Sequence, residues 1–215
     1  MYQTISIIVF LITLAGIALH CMIFPVGGKR QWNPVKKLIH LFTLLFIEQK
    51  LSFAGVVRKL VYLLALLCFI VLGFTGFYPI LAFDEHITGY LLMIHATFAP
   101  IFAICLAILA VMWASRCRFA YNDWPWFRHF VQRVTLIKSA GEESSSKSNR
   151  LLEKVTFWLI IFLALPLILS MVFSMFPYFG TDWQELLLTI HRWTALVFAI
   201  IVIVHIYLLI RATME

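Results

Sequence analysis

Charge is what this sequence has least of. Of its 215 residues only 13% are charged, while 63% are hydrophobic. No soluble domain of that length buries so much apolar surface, so a soluble globular fold is excluded and the chain belongs in a lipid bilayer. Cysteine is scarce as well. The four present, Cys21, Cys68, Cys105 and Cys117, show no CxxC or CxxCH spacing. That excludes a covalent c-type haem, a cysteine zinc site and an iron–sulfur cluster carried by this chain. Three of the four stand within or at the end of apolar runs, where cysteine serves as a small hydrophobic filler. With 9 Gly and 7 Pro there is too little of either for a disordered chain. The first apolar run lacks a basic segment before it and a small-residue cleavage site after it, so it is read as a membrane helix, not a signal peptide.

Long apolar runs are abundant. Five are long enough to span a bilayer, at about 3–24, 60–81, 87–113, 155–177 and 185–210. The expected fold is a single all-α integral membrane domain, a bundle of five transmembrane helices. Between the first two spans, Asn33-Pro34 reads as a helix cap followed by an N1 proline. In the helix predicted over 33–50, Lys36, Lys37, His40 and Thr43 share one face, while Leu38, Phe42, Leu45 and Phe46 lie on others. That pattern suits an amphipathic helix in the membrane interface, with His40 solvated.

The basic residues set an orientation. Residues 25–59 hold seven Lys/Arg, residues 114–154 hold eight, and Arg211 follows the last span. Sixteen of seventeen thus fall on one side, which the positive-inside rule makes cytoplasmic. The amphipathic helix lies on that side, the C-terminus is cytoplasmic and the N-terminus outside. The opposite loops carry Asp84 and Glu85, and Asp182 and Glu185. Orientation and lipid head groups account for the formal charge of +7, so no nucleic-acid partner is needed. In the long inner loop, Asn122 to Phe127 form an aromatic turn suited to the interface, and Ser139–Asn149 reads as a flexible polar connector. His129 and His86 belong to loops.

Four histidines remain inside the spans. His191 and His205 are fourteen residues apart on the last one, nearly on one face and about 21 Å apart along the axis. His95 and His191 lie at similar depth, roughly 10–12 Å from the outer surface. Two neutral imidazoles at one depth are able to supply both axial positions of a haem, which then transfers electrons and has no open site for oxygen. Arg192, the one basic residue away from the cytoplasmic side, follows His191 and suits a haem propionate. For the inner site His205 has His20 as its partner, on a stripe of Ser6, Thr13, Gly16 and His20 along the first helix. Other readings stand beside these: His95 and His191 as polar glue between helices, and His20 at the lipid–water boundary.

The second and third spans look repeated by the fourth and fifth. Leu91-Leu92-Met93-Ile94-His95 and Ala99 match Leu187-Leu188-Thr189-Ile190-His191 and Ala195, and Phe102-Ala103-Ile104 matches Phe198-Ala199-Ile200. Tyr78-Pro79 before Asp84 resembles Phe176-Pro177 before Asp182.

Two histidines fourteen apart in the last helix, one in the helix corresponding to His95, and a run from Lys59-Leu60-Val61-Tyr62 to Phe74-Thr75-Gly76-Phe77 carry a family resemblance. Over most of 55–211 the chain resembles the cytochrome b (gamma) subunits of respiratory formate dehydrogenases and nickel–iron hydrogenases. The additional N-terminal span and N-outside topology are similar to the nitrate reductase gamma subunit. The resemblance departs at Tyr62, where that family has a haem-ligating histidine; either His20 takes over the inner haem, or that haem is lost or otherwise ligated.

The resemblance implies haem b, two groups or at the least one, in a bacterial cytoplasmic membrane protein. It also implies a quinone at one end and, at the other, a redox subunit of iron–sulfur or cytochrome c type. Polar groups at span ends, Arg58, Lys59, Tyr62, Gln49 and Lys154, are the candidate quinone residues; snorkelling into the lipid interface explains them equally well. The chain is then an electron-transfer subunit with no catalysis of its own on a soluble substrate. The competing reading is a non-redox membrane anchor or transporter-like subunit, its histidines serving as helix glue or a proton relay.

Overall fold

In a computed structural model of the chain, residues 1–23, 53–115, 117–119, 142–176 and 180–212 are described. They form five helices and, among the described residues, no strand: α1 Tyr2–Ile23, α2 Phe53–Phe83, α3 Gly89–Ala114, α4 Glu142–Ser174 and α5 Thr181–Ala212. Each is long and apolar enough to cross a membrane. Even α1, with 22 residues, is about 33 Å long, enough for a hydrocarbon core of about 30 Å. Lipid offers no hydrogen bonds to the backbone, so apolar runs of this length close their amide groups within a helix. Large apolar side chains along them lie open, with Val111 81% and Phe162 74% exposed. A soluble protein would bury such residues; here they form the surface that meets lipid.

Two helices reach beyond their apolar runs. Helix α2 starts at Phe53 and takes in Arg58 and Lys59. Helix α4 starts at Glu142, so most of the segment expected to be a flexible connector is helical instead. Serine costs only tenths of a kcal/mol per residue in a helix, which the continuing helix overcomes. The predicted interfacial helix at 33–50, with His40 and Gln49, lies outside the described residues, as do the aromatic turn at 122–127 and His129.

The chain divides into two compact units, Met1–Val26 with Trp113–Glu215, and Gly27–Met112. In the first, α4 and α5 form an antiparallel hairpin, with Leu167 beside His191 and Thr156 beside His205. Helix α1 runs parallel to α5. At one end the Tyr2 hydroxyl donates to the Arg192 carbonyl at 2.8 Å and the Tyr2 ring meets Trp193 edge-on at 5.0 Å. At the other, His20 meets Tyr207. Ser6 is fully buried, and Thr13 and His20 are half-buried on the same stripe. Gly16 departs from the expected stripe: it is exposed, and a Cβ there would meet nothing within 4 Å.

In the second unit α2 and α3 are joined by a short turn. Asp84 adopts φ 57° and its N–H donates to the Ile80 carbonyl at 3.0 Å, a left-handed helix stop. Gly89, at φ 59°, opens α3 in a conformation that favours glycine. Phe69 and Phe102 pack at 6.4 Å between the two helices, with Cys68 and Cys105 both buried. Those cysteines are free, as their reading as apolar filler requires.

Candidate functional site

Three of the intramembrane histidines are held in the same way. The Nδ1 atom of His191 on α5 lies 3.0 Å from the backbone carbonyl of Leu167 on α4. A carbonyl only accepts, so Nδ1 carries the hydrogen and the neutral ring keeps its lone pair on Nε2. One side of that imidazole is therefore fixed by the helix hairpin, and the other carries the lone pair, the form in which a neutral imidazole binds metals.

His205 and His95 reach the same state through threonines. His205 Nδ1 is 2.8 Å from Thr156 Oγ1 on α4. The Thr156 hydroxyl itself lies 2.8 Å from the carbonyl of Leu152, one turn back on its own helix. Two oxygens that close require a hydrogen between them, and the hydroxyl has only one. Thr156 Oγ1 therefore accepts from His205 Nδ1–H, again leaving the lone pair on Nε2. In the other unit, Thr75 on α2 donates to the Val71 carbonyl at 2.8 Å and accepts from Nδ1 of His95 at 2.9 Å. Thr75 is followed by Gly76, where an added Cβ would stand 3.2 Å from Cε1 of His95. Glycine lets the imidazole lie against the backbone of α2.

His20 is different. Its Nδ1 faces two donors, the Tyr207 hydroxyl at 2.6 Å and the Arg211 guanidinium at 2.9 Å. Arginine cannot accept, so Nδ1 holds the lone pair and the hydrogen sits on Nε2. This is the opposite tautomer to the other three, and its lone pair is already engaged. Tyr207 and His205 stand two residues apart on α5, hence about 200° apart around it. For the expected pair of His20 and His205, the first unit turns His205 to Thr156 on α4 and His20 to Tyr207 and Arg211. Arg211, though charged, is only 5% exposed, and it ties α1 to the end of α5.

The remaining candidates are spread more widely. Arg192 is half-buried, and its carbonyl accepts from Tyr2. Arg58, Lys59 and Tyr62 share one side of the first turns of α2, where Arg58 Nε is buried with no hydrogen-bond partner among the described residues. Lys154 stands on α4 in the other unit, Gln49 lies outside the described residues, and His86 is exposed in the α2–α3 turn. Sequence reasoning missed Thr156 and the Leu167 carbonyl, and it met Thr75-Gly76 only as part of a helix exit. A hydroxyl within an apolar span was the available signal for both threonines; a backbone carbonyl leaves none.

The sequence profile described as prokaryotic cytochrome b561 matches residues 55–214. The chain belongs to the prokaryotic cytochrome b561 family. No curated protein and no solved structure matches it. Membership makes this a multi-pass membrane protein of the b-type cytochromes, which bind haem b and transfer electrons. The match covers α2 to α5 and leaves α1, with His20, outside.

The donor set fits haem b. Among the described residues no three His, Cys, Asp or Glu side chains cluster as a bare metal ion would require. A haem supplies its own equatorial nitrogens and asks the protein only for axial ligands. Neutral imidazoles, each with Nδ1–H tied to a helix and the lone pair on Nε2, meet that requirement. His95, His191 and His205 are the residues that would hold it.

Proposed function

We propose that this cytochrome b561 chain is the membrane subunit of a respiratory oxidoreductase complex. In this reading it passes electrons between a partner redox subunit and the quinone pool, in the manner of the gamma subunits of formate dehydrogenase and nickel–iron hydrogenase. The observation that carries the reading is the shared tautomer of His95, His191 and His205. Helix glue requires only that a histidine be hydrogen-bonded; it gives no reason for all three to present Nδ1 to an acceptor and so carry the lone pair on Nε2. Haem at these sites supplies one-electron transfer.

The spacing of two histidines on α5 supports two haems. His191 and His205 sit on one continuous helix, fourteen positions and about 21 Å apart. That is far more than separates the two axial positions of one iron, so the two histidines serve different haems. Together they make a path along the membrane normal. Arg192 supplies a cation for a propionate beside His191. Arg58, Lys59 and Tyr62 on α2 supply donors for a quinone headgroup, and the partnerless Nε of Arg58 supports a ligand there. The Lys/Arg distribution supports an N-terminus outside and a C-terminus in the cytoplasm of a bacterium. The partner subunit, of iron–sulfur or cytochrome c type, supplies or removes the electrons that pass along this path.

The test is potentiometric titration of the purified protein by visible spectroscopy, followed by addition of a short-chain quinol. Two b-type components and rapid reduction by quinol are expected. A single component overturns the two-haem reading, and haem that dithionite reduces but quinol does not overturns the quinone reading.

A further inference from the structure

We propose that Thr75 and Thr156 are positioning residues that set the tautomer, orientation and donor strength of His95 and His205 as axial ligands. The proposal rests on the haem reading of those histidines. It goes beyond ligand identity to say what tunes each ligand.

The two threonines share one arrangement on different helices. Each is buried, Thr75 at 3% and Thr156 at 7% exposure. Each directs its hydroxyl hydrogen to its own helix, to Val71 at 2.8 Å and Leu72 at 3.3 Å in one case, and to Leu152 at 2.8 Å and Glu153 at 3.1 Å in the other. Each then presents its oxygen to an imidazole Nδ1, at 2.9 Å and 2.8 Å. A hydroxyl is ordinarily ambiguous, since it donates or accepts as its rotor turns. Here the back-bond removes that freedom and makes the oxygen an acceptor only. β-branching adds to the effect, because threonine in a helix is confined to the few χ1 rotamers that allow the back-bond. The result is a rigid acceptor that enforces Nδ1–H and turns the ring about a fixed point.

Orientation is half of the consequence and electronics the other half. An acceptor on Nδ1–H draws that hydrogen away from the ring and makes Nε2 a stronger donor. A stronger axial donor favours the oxidised iron, so each threonine lowers the midpoint potential of the haem its histidine holds. His191 receives the same bond from the Leu167 backbone carbonyl, which no side-chain substitution removes. The threonines are therefore the two places where side-chain chemistry controls this bond.

The experiment compares wild type with Thr75→Val, Thr156→Val and the matching Thr→Ser variants as purified holoproteins. The readouts are haem per protein by pyridine haemochrome, midpoint potentials by titration, and the low-temperature EPR of the oxidised haems. Valine keeps the shape and removes the acceptor. Thr75→Val should raise the midpoint of one component and shift its EPR signal, leaving the other component in place. Thr156→Val should do the same to the other component, and serine should restore both. Unchanged potentials and EPR in both valine variants at full haem content would overturn the positioning role alone. Wild-type protein without haem would overturn the haem reading itself, and the positioning role with it. Should a valine variant fail to accumulate, the nitrogen-15 shift of Nδ1 in histidine-labelled wild-type protein, recorded in the reduced state, reads the bond directly. A hydrogen-bonded Nδ1–H supports the proposal, and a bare Nδ1–H overturns it.

Discussion

The Nδ1 atom of His191 donates to the backbone carbonyl of Leu167 across 3.0 Å, joining α5 to α4 twenty-four residues earlier in the chain. Because the partner has no hydrogen to give, this single contact decides which nitrogen of the ring faces away from the helix pair. His205, fourteen residues further along α5, is given the same tautomer by a threonine. Helix α5 thus carries two imidazoles in the same tautomer, each anchored on α4.

If each imidazole serves its own haem, His191→Ala and His205→Ala should each remove one of two spectral components. Haem per protein should fall by about half in either variant, because some 21 Å of helix separates the two positions. The check is pyridine haemochrome on protein normalised by amino-acid analysis. Loss of all haem from both variants, with the protein still folded, would show that the sites are not independent.

His20→Ala should leave haem content and both midpoint potentials as they are. Its lone pair is already bound to Tyr207 and Arg211, and its role is to hold α1 against α5. The expected loss is in packing. Membrane hydrogen bonds of this kind average about 0.6 kcal/mol, so the C-terminal end of α1 should become more open to proteolysis or hydrogen exchange without global unfolding. Disappearance of one haem component in this variant would restore His20 as a ligand.

Gly76→Val should disturb His95, whereas Gly16→Val should not. Even a Cβ at 76 presses on the His95 ring at 3.2 Å, while a Cβ at 16 meets nothing within 4 Å. The visible and EPR spectra of the two variants, compared at equal protein, decide the matter. Overpacking of this type costs typically 1–3 kcal/mol, so Gly76→Val should also lower the melting temperature.

Cys117, just past α3, should react slowly with maleimide at neutral pH. Burial pushes its thiol above the ordinary thiol range; Lys154 draws it part of the way back, and Glu153 adds to the rise. The thiolate is the reacting form, so a raised value leaves less of it at pH 7, and the alkylation rate should go on climbing with pH beyond the point where an ordinary thiol levels off. Mass spectrometry of a variant retaining Cys117 alone, labelled across a pH series, checks both the rate and its direction.

Much of this protein was decided locally. The number of spans, the all-helical class and the rarity of histidines within the apolar runs follow from composition and run length. In lipid, a long apolar segment has no alternative to closing its own hydrogen bonds. The fourteen-residue interval between His191 and His205 is likewise a property of one helix, and the structure keeps it. What the sequence did not determine is which atom of each ring is bound, and by what. Those partners lie 20, 24, 49 and 187 residues away, for His95, His191, His205 and His20 in turn. No local period encodes such distances. His20 and His205 looked alike as lone histidines near the end of apolar runs. Packing turned one toward an acceptor on α4 and the other toward two donors on α5, and that contrast in hydrogen bonding, invisible in the order of residues, was decided by the tertiary structure alone.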